Sequence, residues 1–291
     1  MTSFSKKIIN LRFVLGIGDF GTAGQNTLDL QGLRVSATIS KQGLDPFTTL
    51  DLRVWGMTLD QMQKLTVLNR LATQEYRQNY VIVSAGDEDS GVAVAFQGTI
   101  QEAWADGRNP PEMTFHVTAF SGLFEGTDPI PATSYNGTVG FDVILSGLAA
   151  QLGYGFVNNG VTNTTTNPYY GGDLRTQIER ASKDGNFHYD LDSAAQTLSI
   201  WPKDKPKNAV AIDISPDQGM DGYPSFTQYG VMVRTLYNPN LSYGRIVNVK
   251  SQFKAAQGQW IVQGITHYLD AEMPDGQWHS EMECNYLGYT P

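Results

Sequence analysis

Hydrophobic residues recur at every second position through most of the first 120 residues, the period expected of strands with one buried face. Ile9, Leu11, Phe13, Leu15 and Ile17 share a parity opposite Asn10 and Arg12, and Leu33, Val35, Ala37 and Ile39 repeat the pattern. Leu50, Leu52 and Val54, residues 80–85, and the series Met113, Phe115, Val117 and Ala119 continue it. The longest run is 92–104, with Val92, Val94, Phe96 and Ile100 on one side and Gln97, Thr99 and Gln101 on the other. Gly98 interrupts the apolar parity and predicts a bulge or a corner where a sheet curls onto itself. Residues 58–72 change period, because Leu59, Met62, Leu65, Leu68 and Leu71 recur every three positions and Thr58 with Gln61 fits a capping box. Six alternating strands with one spliced helix predict an antiparallel barrel, since closure removes sheet edges.

The turn formers from Gly126 to Pro131 end this first unit. Phe141 to Leu152 then reads as a helix, with Val143, Ile144, Leu148 and Leu152 apolar and Gly153 placed to end it. Residues 158–172 carry almost no aliphatic side chains and are expected as a long exposed loop. Leu174, Ile178 and Ala181 give a second short helix, ended by Asp184-Gly185. A hairpin follows across Ser193-Ala194-Ala195-Gln196, with Phe187, Tyr189 and Leu191 on one strand and Leu198 and Ile200 on the other. Strands return at 209–214, 230–237, 245–251, 259–269 and 277–286. The chain is therefore expected to be mainly β with a small α+β insertion. Its parts are a barrel over 1–124, a linker or start of the second barrel over 125–137, an inserted unit over 138–207, and a second barrel over 208–291.

Composition narrows the function. Hydrophobic residues make up 41% of the 291 positions and charged ones 17%, so the chain buries substantial cores. A net charge of -9 opposes tight binding to phosphate backbones. The first residues show no signal-peptide pattern, and no run reaches the roughly 20 apolar residues of a membrane helix. Cys284 is the only cysteine, which excludes an intrachain disulfide and suits a reducing cytosol.

The candidate chemistry is sparse. Gly16-Ile17-Gly18-Asp19-Phe20-Gly21 has dinucleotide-binding glycine spacing, but residues 22–32 lack the apolar stripe of the helix that would hold a pyrophosphate, and the motif reads as a turn. His267, His279 and Cys284 lack the tight local pairing of zinc ligands, and His116 and His188 sit singly on strands. Asp87-Glu88-Asp89 and the acidic stretch Asp270 to Asp275 read as solvated loop tips, although paired carboxylates can cleave glycosides when held around a sugar. Tyr169-Tyr170 offers aromatic surface for a sugar or a partner, or packs on its own unit. No catalytic residue, metal ligand or cofactor site is assigned, and no enzyme is expected.

The order of parts resembles a known family. The stretch Ala85-Gly86 to Phe96-Gln97-Gly98-Thr99-Ile100 is similar to a motif of baseplate hub proteins from contractile-tailed bacteriophages. Gly258 to Leu269 followed by Gly276 to Met282 resembles that family's last hairpin, and the hairpin ending Leu198-Ser199-Ile200-Trp201-Pro202-Lys203 resembles the unit inserted between its two barrels. The resemblance implies two tail-tube-like barrels per chain and a homotrimer forming a pseudo-sixfold ring. Such a ring joins the tail tube and other baseplate proteins to a central spike and leaves a channel through which DNA passes without specific binding. It implies a virion location in the tail baseplate after synthesis in the host cytoplasm, without membrane contact. A tail-associated carbohydrate-binding or wall-degrading protein is the alternative.

Overall fold

The computed structural model describes residues 5–21, 24–43, 47–68, 79–109, 111–122, 130–208 and 210–286. Alternation becomes β1 (Lys7–Val14), β2 (Thr27–Leu30), β3 (Arg34–Gln42), β4 (Thr48–Trp55), β5 (Tyr80–Asp87), β6 (Gly91–Asn109) and β7 (Glu112–Phe120). Their apolar parity forms one core, in which Phe13, Leu52, Val54, Phe96 and Phe115 are almost wholly buried. Ile17 lies past the end of β1 and is exposed. Val92 and Val94 are exposed as well, because β6 carries one extra residue where Phe96 faces Val83 but Val94 faces Ser84. That bulge shifts the phase of the hairpin tip relative to the buried run. A second bulge falls between Ile100 and Glu102. The bulges therefore flank Gly98 and do not fall on it.

The first helix, α1 (Leu59–Leu65), starts with the predicted capping box of Thr58 and Gln61 and buries Met62 and Leu65. It stops earlier than its periodicity predicts. Thr66 is extended, and Val67 forms a bridge to Ala103 on β6, leaving Leu68 exposed. Leu71 lies outside the described residues.

The middle of the chain contains β8 (Thr133–Ser134), β9 (Thr138–Gly140), α2 (Phe141–Leu152), β10 (Gly155–Asn158), β11 (Thr164–Thr166), β12 (Tyr169–Tyr170), α3 (Leu174–Gly185), β13 (Phe187–Asp192) and β14 (Thr197–Pro202). Gly153 ends α2 at φ +72°, where glycine adopts the left-handed conformation without side-chain strain. Val143 points outward while Leu145 joins Ile144 and Leu148 in a second core. Asp173 caps α3 by accepting from the Thr176 amide, and Asn186, one residue after Gly185, makes its left-handed stop. The segment expected as a free loop is stapled down: β11 pairs with β9, β12 pairs with β8, and Val161 and Tyr170 enter the second core. Threonine-rich strands of two or three residues leave too little pattern to read, and partners supplied from before α2 decide their structure.

The last part comprises β15 (Ile212–Ile214), β16 (Ser225–Phe226), β17 (Gly230–Leu236), β18 (Ile246–Val249), β19 (Gly258–Ala271) and β20 (Trp278–Tyr286). Val231, Val233, Val262, Met282 and Cys284 lie in a third core. The main sheet runs in the order β16, β17, β20, β19, β3, β4, β7, β6, β5, β1, β2, with β18 and β15 branching from β19. The strand β19 joins the parts. Val249 to Ile246 pair with its start, Gly258 to Ile261, whereas Gln42 to Val35 pair with Gly264 to Ala271. A bulge between Val262 and Gly264 marks the change of partner. The first unit curls until β1 approaches the end of β19, where Lys6 meets Glu272 at 2.5 Å and the Lys7 ammonium lies 5.9 Å from the Trp278 ring. Among the described residues no backbone ladder joins β2 to β16, so the sheet path has two ends.

Candidate assembly surfaces and the junction behind them

A buried ionic cluster fixes the inserted unit against the sheets. Asp190 on β13 accepts from Lys207 at 2.7 Å and meets Lys41 of β3 at 3.2 Å. Burial drives the Asp190 carboxyl upward, but the two ammonium groups outweigh it and hold the group below its ordinary value. Beside it, Trp201 packs 5.7 Å from the Tyr243 ring, and Gly244 at φ +77° passes where a Cβ would come within 2.6 Å of the indole. The Lys207 amide donates to the Gly244 carbonyl at 2.8 Å. At the hairpin tip, the Ser193 hydroxyl donates to the Gln97 carbonyl of β6 at 2.7 Å. Lys41, Asp190, Ser193 and Tyr243 from these contacts line a cavity of about 340 Å³ together with Tyr237 and His267. Burial pushes the His267 imidazole down to about 4. Its Nδ1 shares a hydrogen bond of 2.7 Å with Ser280, and Tyr237 packs edge-on at 5.2 Å.

The face of the main sheet turned away from the cores is polar and continuous across both halves. One cross-strand row reads Glu102, Thr118, Asp51, Thr38, Tyr268, His279 and Leu236. The next reads Thr49, Ser40, Thr266, Glu281 and Arg234, in which the Ser40 and Thr266 hydroxyls lie 3.0 Å apart. A third reads Trp104, His116, Arg53, Ser36 and Asp270, with the Trp104 and His116 rings stacked at 5.1 Å. Glu102, Asp51, Asp270 and Glu281 outnumber Arg53 and Arg234 in these rows, so phosphate approaching this face meets net negative charge.

The residues singled out for chemistry make structural contacts. The Gly16 to Gly21 motif leads into β2, a strand where nucleotide binding requires a helix, and the Gly16 amide donates to the Asn79 side chain. His267 and His279 lie on facing strands, with Arg234 Nη2 3.3 Å from His279, while Cys284 is buried in the third core. Among the described residues no group of three or more His, Cys, Asp or Glu is arranged to hold a metal ion. The two acidic loops are brought to the same end of the first unit by the chain between them. Lys6 pairs with Glu272, Lys7 with Asp87 at 3.4 Å, and the Glu88 amide donates to the Lys6 carbonyl. Asp87 accepts from the Ser90 and Asp89 amides and Asp270 from the Gln277 amide, so these carboxylates close turns. Tyr169 is 73% exposed while Tyr170 is buried, which splits the aromatic pair. The charge cluster of Lys41, Asp190 and Lys207 escapes sequence reasoning. Asp190 sits on the polar parity of an ordinary hairpin, and nothing local announces its partners.

This fold is that of phage tail proteins. A tail protein of the prophage MuSo2 from Shewanella oneidensis matches with a TM-score of 0.61 at 11% identity, covering 96% of each chain. The tail protein from Neisseria meningitidis MC58 matches with a TM-score of 0.62 at 10% identity over 97% of each chain. A type VI secretion component of E. coli, described as similar to the T4 bacteriophage tail proteins gp27 and gp5, matches at 0.56 with 12% identity over 89% of this chain and 76% of its own. No curated protein matches by sequence. The family model for the baseplate hub gp41 matches residues 11–274, and the chain belongs to that family.

Proposed function

We propose that the protein is a non-enzymatic structural hub, three copies of which form a pseudo-sixfold ring between the tail tube and the central spike of a phage baseplate. The observation that carries this reading is β19, which belongs to two antiparallel β units at once. One polypeptide so built presents two β units in succession, and three copies place six around an axis. In this reading the chain divides into units over 1–124, 138–207 and 208–291, with 125–137 as the linker or the start of the second barrel, and the three separate cores support it. The polar face shared by both units then lines the channel, where its carboxylates discourage DNA from sticking during passage. Tube, spike and neighbouring baseplate proteins are the partners, and the virion is the location. The family to which the chain belongs supports this reading, as does the likeness of a structural neighbour to T4 gp27 and gp5. Light scattering on the purified protein, alone and with its spike, is expected to give the mass of a trimer. A monomer under both conditions contradicts the reading, as does cleavage or retention of peptidoglycan or host glycans.

A further inference from the structure

We propose that the inserted unit is latched: it pivots where Trp201 packs on the second unit and swings clear of the first when the contacts of Lys41 and Ser193 open. The motion lies within one chain and stands independently of the trimeric ring. Every residue of the second core, and every partly buried apolar side chain packed on it, lies within residues 130–200. A body with its own core moves relative to its neighbours unless a large apolar interface holds it. The contacts to the two neighbours differ in kind. Toward the second unit the inserted unit presents the buried Trp201 ring, 5.7 Å from Tyr243 and so close to Gly244 that a Cβ there would collide with it. Toward the first unit stand the Lys41 contact with Asp190 at 3.2 Å, the Ser193 hydroxyl on the Gln97 carbonyl at 2.7 Å, and the Arg175 guanidinium 3.6 Å from the Phe47 ring. The cavity of about 340 Å³ is lined from all three units, so the seam beside Lys41 and Ser193 is not filled as an interior is.

The chemistry of the two sides decides which one opens. Drawing a buried ion pair apart into water returns hydration to both charges and offsets much of the lost attraction, whereas parting an aromatic contact exposes apolar surface with no such return. The seam with the first unit is therefore the one that opens. Asp190 is not left bare when it does. Lys207 lies 2.7 Å from the carboxylate, and its amide is bound to the Gly244 carbonyl at the pivot, so this ammonium stays with Asp190 while Lys41 moves into water. Charge buried in this way selects between two placements of one body more than it adds stability. Opening converts the cavity, with Tyr237 and His267 in its wall, into a cleft that faces solvent.

The test reads distances by pulsed electron resonance between spin labels on Tyr169→Cys of the inserted unit and Leu59→Cys of the first, both exposed positions. Cys284 is wholly buried and takes no label, and labelled chain is diluted into unlabelled chain so that one copy is read at a time. The protein with no further change is expected to show one predominant distance. Lys41→Glu sets two carboxylates against each other, and Ser193→Glu sets an acceptor against the Gln97 carbonyl. Each is expected to bring in the same second distance and to raise its share at least ~10-fold, because opposed like charges are strongly disfavoured. Lys41→Arg keeps the contact and is expected to keep the first distance. Ser193→Glu alters only a hairpin tip, so it reads the latch even where Lys41→Glu does not fold. A reference pair on Leu59→Cys and Tyr223→Cys, between the first and second units, is expected to hold its distance throughout. An unchanged single distance in the charged variants that fold overturns the latch. So does a reference pair that changes with them, because the sheets then part in place of the inserted unit.

Discussion

A Cβ on Gly98 would stand 2.5 Å from the Phe120 carbonyl oxygen, closer than real carbon and oxygen atoms approach. The same atom would meet the Phe96 ring at 2.7 Å, so the hydrogen of Gly98 is what lets β6 and β7 converge there. Gly98→Ala is expected to destabilise the fold by about 2 kcal/mol, in the range of overpacked cores. Denaturant unfolding of the variant checks this, and an unchanged midpoint counts against the close approach.

The Asp190 cluster predicts an asymmetry. Removing the carboxylate alone leaves the Lys41 and Lys207 ammonium groups buried without it, and Asp190→Ala is expected to cost roughly 3–5 kcal/mol. Replacing all three residues with Met or Leu is expected to cost less than the single change. Because the folded carboxyl sits below its ordinary value of 3.8, its contribution is complete above that pH and is lost as pH falls through the folded value. Urea titrations of the single and triple variants measure the difference.

His267 titrates in a separate window. Folding holds its imidazole neutral down to about 4, against 6.5 in a free side chain. The fold therefore keeps this contribution in full above 6.5 and loses it as pH falls toward 4, by up to about 3.5 kcal/mol at about 1.4 kcal/mol per pH unit. His267→Gln is expected to flatten the stability curve between those limits. A slope unchanged by the substitution removes His267 as its source.

The tyrosine pair predicts a contrast between neighbours. Tyr170→Ala empties a place in the second core and is expected to cost about 3 kcal/mol, whereas Tyr169→Ala is expected to change stability by less than about 0.5 kcal/mol. Thermal melting of both variants provides the comparison, and equal effects contradict the packing of β12.

Much of this fold is legible because antiparallel strands with one wet face write their burial into alternate letters. Ile9 to Leu15, Val35 to Ile39 and Phe115 to Ala119 needed nothing beyond parity. Helix α2 was legible from its period and from Gly153. What was hidden depends on partners distant in sequence. Alternation in β19 does not reveal that its halves answer to different neighbours, and a bulge such as that beside Ala95 reverses the meaning of every later position. The Asp190 cluster joins residues from three separate stretches, and the short strands within 158–172 exist only because β8 and β9 lie beside them. The resemblance to hub proteins rested on the order of parts, and the family match bears it out.

The central claim is that one chain supplies two of six units. The most direct test is an electron-microscopy image of the purified assembly viewed down its channel. Three copies of 32.0 kDa, about 96 kDa in all, are expected to show threefold symmetry with six β densities of two alternating kinds around one opening. Six identical chains around the axis, or single particles with no channel, contradict the account.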